Sequence, residues 1–559
     1  MIYEKKLLQK KYNYKQITIS DFSQAIDTEQ NGQLQNYKKP ISVFNFLTEN
    51  GKLETSYGLQ RLTIPTSEDD AEALLNPLYE NVGVEYTGVW VYKYYNTEKE
   101  KDDYDLILYA DNGYMYWISL FDNDKTIYRL YEIVLTSKPT VINYRMHDRD
   151  YLLICNETEG MIAWNGVTIP KQIASAPNIR SVAVFKNRLF AITDDKFKLY
   201  YSKELDPTNW LITENSDSSG IIRFSDQMGD MNKIVEFLGN LYVIRDNGIT
   251  KVSYYEDDDS YKLSHIFFSG SRIYGESVVV CERDLYFMTR DGIFVFDGVT
   301  AEQVDLGINS LFGLDNLEGV KAVFHKNNYY LACKLNYNDN SFFADESSDG
   351  DFVNNTILQL NTKTKQFNLI RGIDAVDIMS LQVGRISKLV ILTRGGKANC
   401  VSELVCNGSH YDIPLLKVWK VDRSCIVNFD KVKLVKNFVI NTEYDVDVKI
   451  KTDMQENYFS VKGSKSPQKI IVNLKGKVVE FEIRSYNDKA EITLFSLEVM
   501  YDWQRTPCAK QNWRIRRTYK KEKGCKWQLK WRVYRKRKLA QNWIYKYAVC
   551  RCYIVLHWC

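Results

Sequence analysis

The stretch VVVCERDLYFMTRDGIFVFDG, residues 278–298, decides the fold class. It contains three apolar runs that are rich in aromatic and β-branched residues, separated by a short charged turn and by Asp291-Gly292. Such runs favour strands, and Asp-Gly between two of them favours a tight hairpin turn in which the glycine has a positive φ. The stretch therefore predicts three consecutive antiparallel strands.

The same pattern recurs along the chain. Close copies read IVEFLGNLYVIRDNGITKVSY at 234–254, where Asn247-Gly248 occupies the turn, and VAVFKNRLFAITDDKFKLYYS at 182–202. A looser copy reads KAVFHKNNYYLACKL at 321–335, and weaker relatives lie around Trp90–Phe121, at 141–166 and at 378–404. The steps between equivalent positions are 52, 44 and 43 residues, counted over Phe185, Phe237, Cys281 and Phe324.

Repeats of about 40–45 residues are typical of the four-stranded blades of a β-propeller. The sequence therefore predicts an all-β fold: a propeller of six or seven blades over residues 81–405. The alternative is a repetitive array of β-sandwiches without radial closure.

The segments on either side of the repeats differ from them. Residues 1–80 are polar and carry turn residues, which predicts an extended N-terminal arm that leads into the first blade. In 411–502, apolar and polar residues alternate strictly, as in VDVKIK at 446–451 and VEFEIR at 479–484. One face of each such strand is buried and the other is exposed to solvent. This predicts a small antiparallel β-sandwich or an appended sheet.

Charge separates the last segment from the rest. Residues 505–559 hold 17 Lys and Arg against one acid, Glu522, so this tail carries +16 and residues 1–504 carry −13. Three interpretations stay open. The tail is the product of a reading-frame slip near Pro507, a basic Trp-rich arm that binds nucleic acid, or a metal site. The metal site would use Cys550, Cys552, His557 and Cys559.

The sequence offers no coherent catalytic constellation, and we expect no catalytic, cofactor-binding or metal-binding residue. It has no phosphate loop, nucleophile elbow or zinc-protease motif. The five histidines show no ligand spacing: His147, His265, His325, His410 and His557. The acidic clusters at 256–259 and 345–351 are expected to be solvated loops, because the second lacks the glutamate that a calcium loop needs. The protein is predicted not to be an enzyme.

Two further expectations concern membrane association and the oxidation state of the cysteines. No leader and no apolar stretch of about 20 residues occurs, so we expect a soluble protein without a membrane span. Cysteines in the body of the chain lack C-x-x-C pairs and are expected to be reduced core residues. They are Cys155, Cys281, Cys333, Cys400, Cys406 and Cys425.

Two phrases in the repeats resemble the tail structural propellers of short-tailed bacteriophages, which include the tail nozzle, tail tubular protein B and the packaged-DNA stabilisation protein. DPTNW at 206–210 follows a strand that ends in Tyr201-Ser202, and RDGIFVFDG at 290–298 closes a later blade. The resemblance covers about residues 80–500, and the tail has no counterpart in it. The phrase and turn residues singled out are Asp206, Pro207, Trp210, Asn247, Gly248, Arg290, Asp291, Gly292, Asp297 and Gly298.

The resemblance implies a virion structural protein of the phage tail or neck, assembled in the host cytoplasm. Such proteins form a homo-oligomeric ring that contacts the portal, the adaptor and other tail proteins. The ring extends the channel for double-stranded DNA below the portal and retains packaged DNA until ejection. Two other functions stay open: a propeller scaffold for protein–protein interaction and a virion-associated propeller glycosidase.

Overall fold

The computed structural model contains strands, turns and irregular segments, with two single-turn 3-10 helices at Gly275–Ser277 and Asn309–Leu311 in its described part. Residues Lys15–Val499 form one compact unit. The structure describes residues 12–24, 26, 28, 39–48, 50–65, 75–77, 84–121, 126–130, 133–146, 148–212, 218–255, 260–312, 319–337, 352–394, 401–424, 426, 431–502, 516–518 and 530–532.

Six four-stranded antiparallel sheets follow one another along the chain. Sheet 1 contains β8 Tyr86–Asn96, β9 Lys101–Ala110, β10 Met115–Ser119 and β11 Tyr128–Arg129. Sheet 2 contains β12 Thr140–Met146, β13 Arg149–Asn156, β14 Gly160–Trp164 and β15 Lys171–Ile173. Sheet 3 contains β16 Ser181–Phe185, β17 Arg188–Ile192, β18 Lys198–Tyr201 and β19 Gly220–Arg223.

The next three sheets have the same plan, with the four strands paired in chain order. Sheet 4 contains β20 Met231–Phe237, β21 Asn240–Arg245, β22 Gly248–Tyr255 and β23 Ser260–Phe268. Sheet 5 contains β24 Val279–Cys281, β25 Asp284–Thr289, β26 Gly292–Phe296 and β27 Ala301–Gln303. Sheet 6 contains β28 Lys321–His325, β29 Asn328–Cys333, β30 Thr356–Asn361 and β31 Phe367–Arg371.

Sheet 7 takes one of its strands from the N-terminal part of the chain. It contains β32 Ala375–Val383, β33 Ile386–Thr393, β34 Ser402–Val405, β5 Gly58–Arg61, β35 Ser409–His410 and β36 Ile413–Pro414, paired in that order. Strand β5 is antiparallel to β34, with Glu403 opposite Gln60. The last repeat is therefore completed by residues that lie more than 300 positions earlier in the sequence.

Continuous apolar runs explain why the middle strands of these sheets are buried on both faces. All five residues of β17 are buried, as are all five of β14. Each sheet packs face to face on its neighbours, so a middle strand meets side chains on either side. Contacts between first strands link most neighbouring sheets, and β20 of sheet 4 contacts the 3-10 helix Gly275–Ser277 that precedes sheet 5. Strand β32 of sheet 7 contacts β8 of sheet 1. The fold is all-β and propeller-like.

Two further sheets, 8 and 9, use the alternating segment after the repeats. Sheet 8 contains β3 Phe46–Leu47, β4 Leu53–Thr55, β43 Glu491–Asp502, β38 Lys433–Thr442 and β41 Gln468–Gly476 in that order, with β1 Tyr12–Ile19 also paired to β43. Sheet 9 contains β2 Ser42–Phe44, β37 Lys417–Ser424, β42 Val479–Ser485, β39 Val446–Thr452 and β40 Glu456–Val461. The alternation predicted for 446–451 is observed: Val446, Val448 and Ile450 are buried.

The N-terminal segment differs from the extended arm that we expected over residues 1–80. Its described part supplies β1–β4 to sheets 8 and 9 and β5 to sheet 7, followed by a hairpin of β6 Thr63–Pro65 and β7 Leu75–Pro77. Most of these strands are two to four residues long. A strand of that length is too short to show an alternating pattern, which is why the sequence reads as irregular.

Sheets 8 and 9 share a buried cluster with sheets 5 and 6, so residues 411–502 do not pack as an isolated domain. Asn45, which lies between β2 and β3, makes a reciprocal contact with Arg371 at the end of β31. The Asn45 side-chain amide donates to the Arg371 carbonyl at 3.0 Å, and the Arg371 backbone N–H donates to Asn45 Oδ1 at 2.9 Å. The Arg371 guanidinium lies 3.5 Å from the ring centre of Tyr337 and 5.0 Å from that of Phe44.

A second compact unit comprises residues 1–14 and 500–559. In its described part, β44 Arg516–Thr518 pairs antiparallel with β45 Lys530–Arg532. The cysteine and histidine set proposed for a metal site in the tail lies outside the described residues. Across the part of the chain that the structure describes, we find no helix with the length and apolarity needed to span a bilayer.

Candidate functional site

The DPTNW phrase forms a turn that is closed by its own side chains. Asp206 Oδ1 accepts hydrogen bonds from the Thr208 backbone N–H at 3.2 Å and from its hydroxyl at 2.7 Å. The indole of Trp210 donates to the Pro207 carbonyl at 2.9 Å and is buried among side chains of sheets 2 and 3. The phrase anchors the long connection after β18 to the core between two sheets.

The two predicted hairpin turns are displaced by one residue from the positions that we expected. Arg245 pairs with Gly248, and Thr289 pairs with Gly292. Each glycine is therefore the first residue of the following strand, and Asn247 and Asp291 each occupy the second position of the turn. Gly292 has the predicted positive φ, 130°.

The positive φ predicted for Gly248 is wrong, because this residue is not among those with positive φ. Lack of space explains the glycine instead. A Cβ atom at this position would lie 2.1 Å from Met228 Cε and 2.3 Å from the Phe267 carbonyl oxygen. The neighbouring β23 backbone thus requires the absence of a side chain.

The acidic residues of RDGIFVFDG also act within turns. The Asp291 carboxylate accepts a hydrogen bond from the Ser271 hydroxyl, and Arg290 precedes it in the exposed turn. Asp297 Oδ1 accepts the Val299 and Thr300 backbone N–H groups at 2.8 and 2.7 Å, which lowers the pKa of the carboxyl. Gly298 follows with a φ of 97°. The residues that carry the family resemblance are spread over sheets 3, 4 and 5 and do not converge on one site.

A cluster of charges does converge where the first strands of the sheets begin. It consists of Lys138, Lys233, Glu276, Lys321 and Asp377, and we call it the central cluster. Lys138 Nζ lies 2.8 Å from Asp377 Oδ2, and Lys321 Nζ lies 2.9 Å from Glu276 Oε2. The five residues come from sheets 4, 6 and 7 and from the connections that precede sheets 2 and 5.

The Lys138–Asp377 pair is embedded in further contacts at the junction of sheets 1 and 7. Asp377 Oδ2 also accepts the Val89 backbone N–H at 3.1 Å, and Lys138 Nζ donates to the Thr87 carbonyl at 2.7 Å. The ammonium lies 5.7 Å from the ring centre of Trp90. Side chains of Asp377 and Lys138 are 10% and 27% exposed, so the pair is largely removed from water.

Charged groups of the cluster shift one another's pKa values. Lys233 lowers the pKa of Glu276 well below its usual range, burial opposes this shift, and Lys321 and Lys138 reinforce it. Burial lowers the pKa of Lys138, and Asp377 only partly offsets that effect. Burial works against the charge of Lys321, but Glu276 and Asp377 raise its pKa overall.

The central cluster was not predicted, because no sequence pattern joins its members. Lys138 and Asp377 are 239 residues apart, and each occurs in an ordinary polar context. Lys138 contributes to the low pKa of Glu276, although the two residues lie in the connections that precede sheets 2 and 5. The cluster holds two ion pairs and one further lysine, Lys233.

The described histidines contact hydroxyl groups or are partly buried. His325 Nδ1 lies 2.8 Å from Ser380 Oγ, and burial lowers the pKa of this histidine to about 4. His265 Nδ1 lies 3.1 Å from Thr250 Oγ1, and its Nε2 lies 3.5 Å from Asp226. Burial also lowers the pKa of His410. His147 and His557 lie outside the described residues.

Among the residues that the structure describes, no three His, Cys, Asp or Glu side chains are grouped as metal ligands would be. The acidic clusters at 256–259 and 345–351 fall outside that part. Cys155, Cys281 and Cys333 are buried free thiols, and burial raises the pKa of Cys155 to about 12. Cys406 is exposed, contrary to our expectation, and its thiol donates to the Thr55 carbonyl at 3.2 Å. Cys400 and Cys425 are not described.

An open cleft of about 460 Å³ lies beside the turn that joins β40 and β41. Three of its lining residues are acidic, and Asp445 among them accepts the Gly463 backbone N–H at 2.8 Å. The lining residues are Glu443, Tyr444, Asp445, Gly463, Asn487, Asp488 and Lys489.

Comparisons with known proteins leave the function open. No family model matches the chain, and no curated protein sequence matches it. Among solved structures, the chain is similar to the AfRom2 CNH domain, a fungal domain, with 11% sequence identity and a TM-score of 0.34. The similarity covers 58% of this chain and 96% of that one. A match at this level supports no argument about function.

Proposed function

We infer that sheets 1–7 form a closed seven-bladed propeller and that sheets 8 and 9 form a β-sandwich attached to its rim. Closure is supported by the contact of β32 with β8 and by the Lys138–Asp377 ion pair across the same junction. Strand β5 pairs with β34, so a segment that precedes the repeats completes the last sheet. The sandwich is supported by buried side chains that sheets 8 and 9 share.

We propose that the protein is a structural component of a bacteriophage tail or neck. The observation that carries this proposal is the order of the phrases between Phe185 and Gly298, which resembles that of tail propeller proteins. The structure adds a physical role for each phrase, because Trp210 fills a gap between two sheets and Asp297 caps a turn. These residues build the scaffold, as expected if the protein contributes shape rather than chemistry.

In this proposal the DNA channel is the lumen of a ring of several copies. The ion pairs of the central cluster support this choice, because they link the beginnings of several sheets within one chain. A closed ring of identical subunits needs heterologous contacts related by rotation. The portal and adaptor would contact one rim of that ring, and packaged DNA would be held above it until ejection.

A second candidate is a scaffold that binds partner proteins through the loops of the propeller. Exposed aliphatic side chains in these loops favour it, since exposed apolar surface can mark interaction sites. They belong to the connections after the third strand of sheets 2, 3 and 5. The most exposed are Val167 at 88%, Val299 at 70%, Ile169 at 69%, Leu205 and Leu211 at 65% and Ile212 at 60%.

Deletion of the gene from the phage genome that carries it tests the tail proposal. We expect particles that package DNA and then lose it, and rings of the purified protein in the presence of adaptor or portal by electron microscopy. Particles that keep their DNA and infect normally would exclude the proposal. Absence of the protein from purified particles would favour the scaffold instead.

A further inference from the structure

One edge of the β-sandwich carries a run of positive charge. Residues 457–479 contain five lysines and neither Asp nor Glu. The run covers most of β40, the connecting turn and all of β41. We call Lys462, Lys465, Lys469, Lys475 and Lys477 the edge lysines.

Strand geometry places the lysines of β41 on one side. Lys469, Ile471, Asn473 and Lys475 are exposed, while the alternate residues Val472 and Leu474 are buried. Lys469 and Lys475 lie on the exposed face on either side of a bulge at Val472-Asn473, where Asn473 has a φ of 56°. Lys462 and Lys465 extend this row into the turn, where both are exposed.

The turn that presents Lys462 and Lys465 is held by hydrogen bonds. The Gly463 backbone N–H donates to Asp445 at 2.8 Å, and the Ser464 backbone N–H donates to the Thr442 carbonyl at 2.8 Å. The Gln468 side chain donates to the Lys462 carbonyl at 2.6 Å. A ligand would therefore meet a turn whose backbone is already ordered, which lowers the entropic cost of binding.

Three carboxylates, those of Glu443, Asp445 and Asp488, line the cleft beside the turn of Lys462 and Lys465. None of the three forms an ion pair with an edge lysine in the part of the chain that the structure describes. Glu498 accepts Lys469 at 3.3 Å but also Lys436 and Asn437. Glu456 pairs with Lys449 at 3.6 Å. Within the described residues, the ammonium groups of Lys462, Lys465 and Lys475 have no ion pair.

Two features indicate that this edge is available to a large partner. Strand β40 pairs only with β39, and β41 pairs only with β38, so both are edge strands. Tyr458 on β40 is 62% exposed and Ile471 on β41 is 69% exposed. The surface is basic and carries an exposed aromatic side chain.

We propose that the edge lysines bind the phosphate backbone of double-stranded DNA. A row of lysines, three of them without an ion pair within the described residues, matches a polyanion whose charges repeat along its length, and such contacts carry no sequence preference. That this DNA is the packaged genome rests on the proposed function. The match between the lysines and a polyanion does not depend on that function. A surface for an acidic protein, such as a second copy of this chain, is the competing outcome.

The test uses the full chain and a short DNA duplex of random sequence, with binding measured by fluorescence anisotropy over a salt series. The variant carries K462Q, K465Q, K469Q and K475Q. Its matched control carries K171Q, K186Q, K196Q and K203Q, which remove four exposed lysines from sheets 2 and 3 and the loops beside sheet 3. Wild type and both variants keep the basic tail, so the contribution of the tail to DNA binding is the same in all three.

We expect the slope of log K against log salt to become shallower by up to about 3.6 in the edge variant, since each of the four neutralised phosphates contributes about 0.9. The control variant should keep the wild-type slope. Unchanged slopes and affinities in the edge variant, at unchanged thermal stability, overturn the proposal. Unchanged DNA binding with loss of self-association would instead assign the surface to a second copy. A shallower slope combined with normal infection by gene-deleted particles would refute the tail function while supporting the DNA surface.

Discussion

Lys138 and Asp377 form an ion pair of 2.8 Å between the connection to sheet 2 and the first strand of sheet 7. The same carboxylate oxygen accepts the Val89 backbone N–H of sheet 1. One side chain of sheet 7 thus contacts both sheet 1 and the connection that leads to sheet 2. A buried pair of this kind is costly to break from one side, because the remaining charge loses its partner.

We expect Asp377→Ala to lower the free energy of unfolding by about 2–4 kcal/mol, since Lys138 and the Val89 N–H both lose their acceptor. Urea denaturation measures this change. Asp102→Ala is the control, because the Lys93–Asp102 pair is 52% and 43% exposed and should contribute less than about 1 kcal/mol. Equal effects of the two substitutions would contradict a role of Asp377 in closing the array.

Gly248→Ala should destabilise the protein by about 2–3 kcal/mol through overlap of the new methyl group with the Phe267 carbonyl and Met228. Gly270→Ala is the matched control, since a Cβ atom there would have no neighbour within 4 Å and the φ of Gly270 is not positive. That control should stay within about 0.5 kcal/mol of wild type. Thermal melts of the two variants compare them, and a stable Gly248→Ala protein would show that β23 does not approach β22 as closely as described.

Leu59→Ala should cost about 2–4 kcal/mol, because the Leu59 side chain is fully buried and links β5 to the core of sheets 6 and 7. The strand is also held by Glu403, which accepts the Gln60 side chain at 2.5 Å and pairs with Lys388 at 2.5 Å. Limited proteolysis should cut the variant preferentially near β5. Wild-type stability and protection would exclude β5 as the strand that completes sheet 7.

Lys417 should make stability depend on alkaline pH. Its ammonium donates to the carbonyls of Gly408, Leu415 and Asn487, and burial lowers its pKa from 10.5 to about 8. Both states are protonated below pH 8. Between about pH 8 and 10.5 the folded state loses the proton first, so the unfolded state binds more protons and the contribution of Lys417 to stability rises with pH.

We therefore expect the stability of wild type relative to Lys417→Met to increase by up to about 1.4 kcal/mol per pH unit above pH 8. Chemical denaturation at pH 7, 8, 9 and 9.5 measures the difference. Lys420→Met serves as the control for loss of a lysine on the same strand. A difference that is constant across this range would show that Lys417 titrates normally.

The repeats could be recognised from sequence because strand formation is a local property. Runs such as LYFMT and GIFVF before and after Arg290-Asp291 are long enough to show β-propensity, and each hairpin needs only its own residues. The predicted turn positions were still displaced by one residue. Register depends on pairing between strands, and the two-residue turns start at Asp246 and Arg290 rather than at the glycine-containing pairs.

The sequence alone determined an all-β, repetitive chain with a change of pattern near residue 411 and a charge break near residue 505. The tertiary structure decided that β5 joins the last repeat, that β1–β4 enter sheets 8 and 9, and that Lys138, Glu276 and Asp377 share one electrostatic environment. These features join residues separated by hundreds of positions. They depend on which surfaces pack together, and that choice is made by the burial of all the sheets at once rather than by any local pattern.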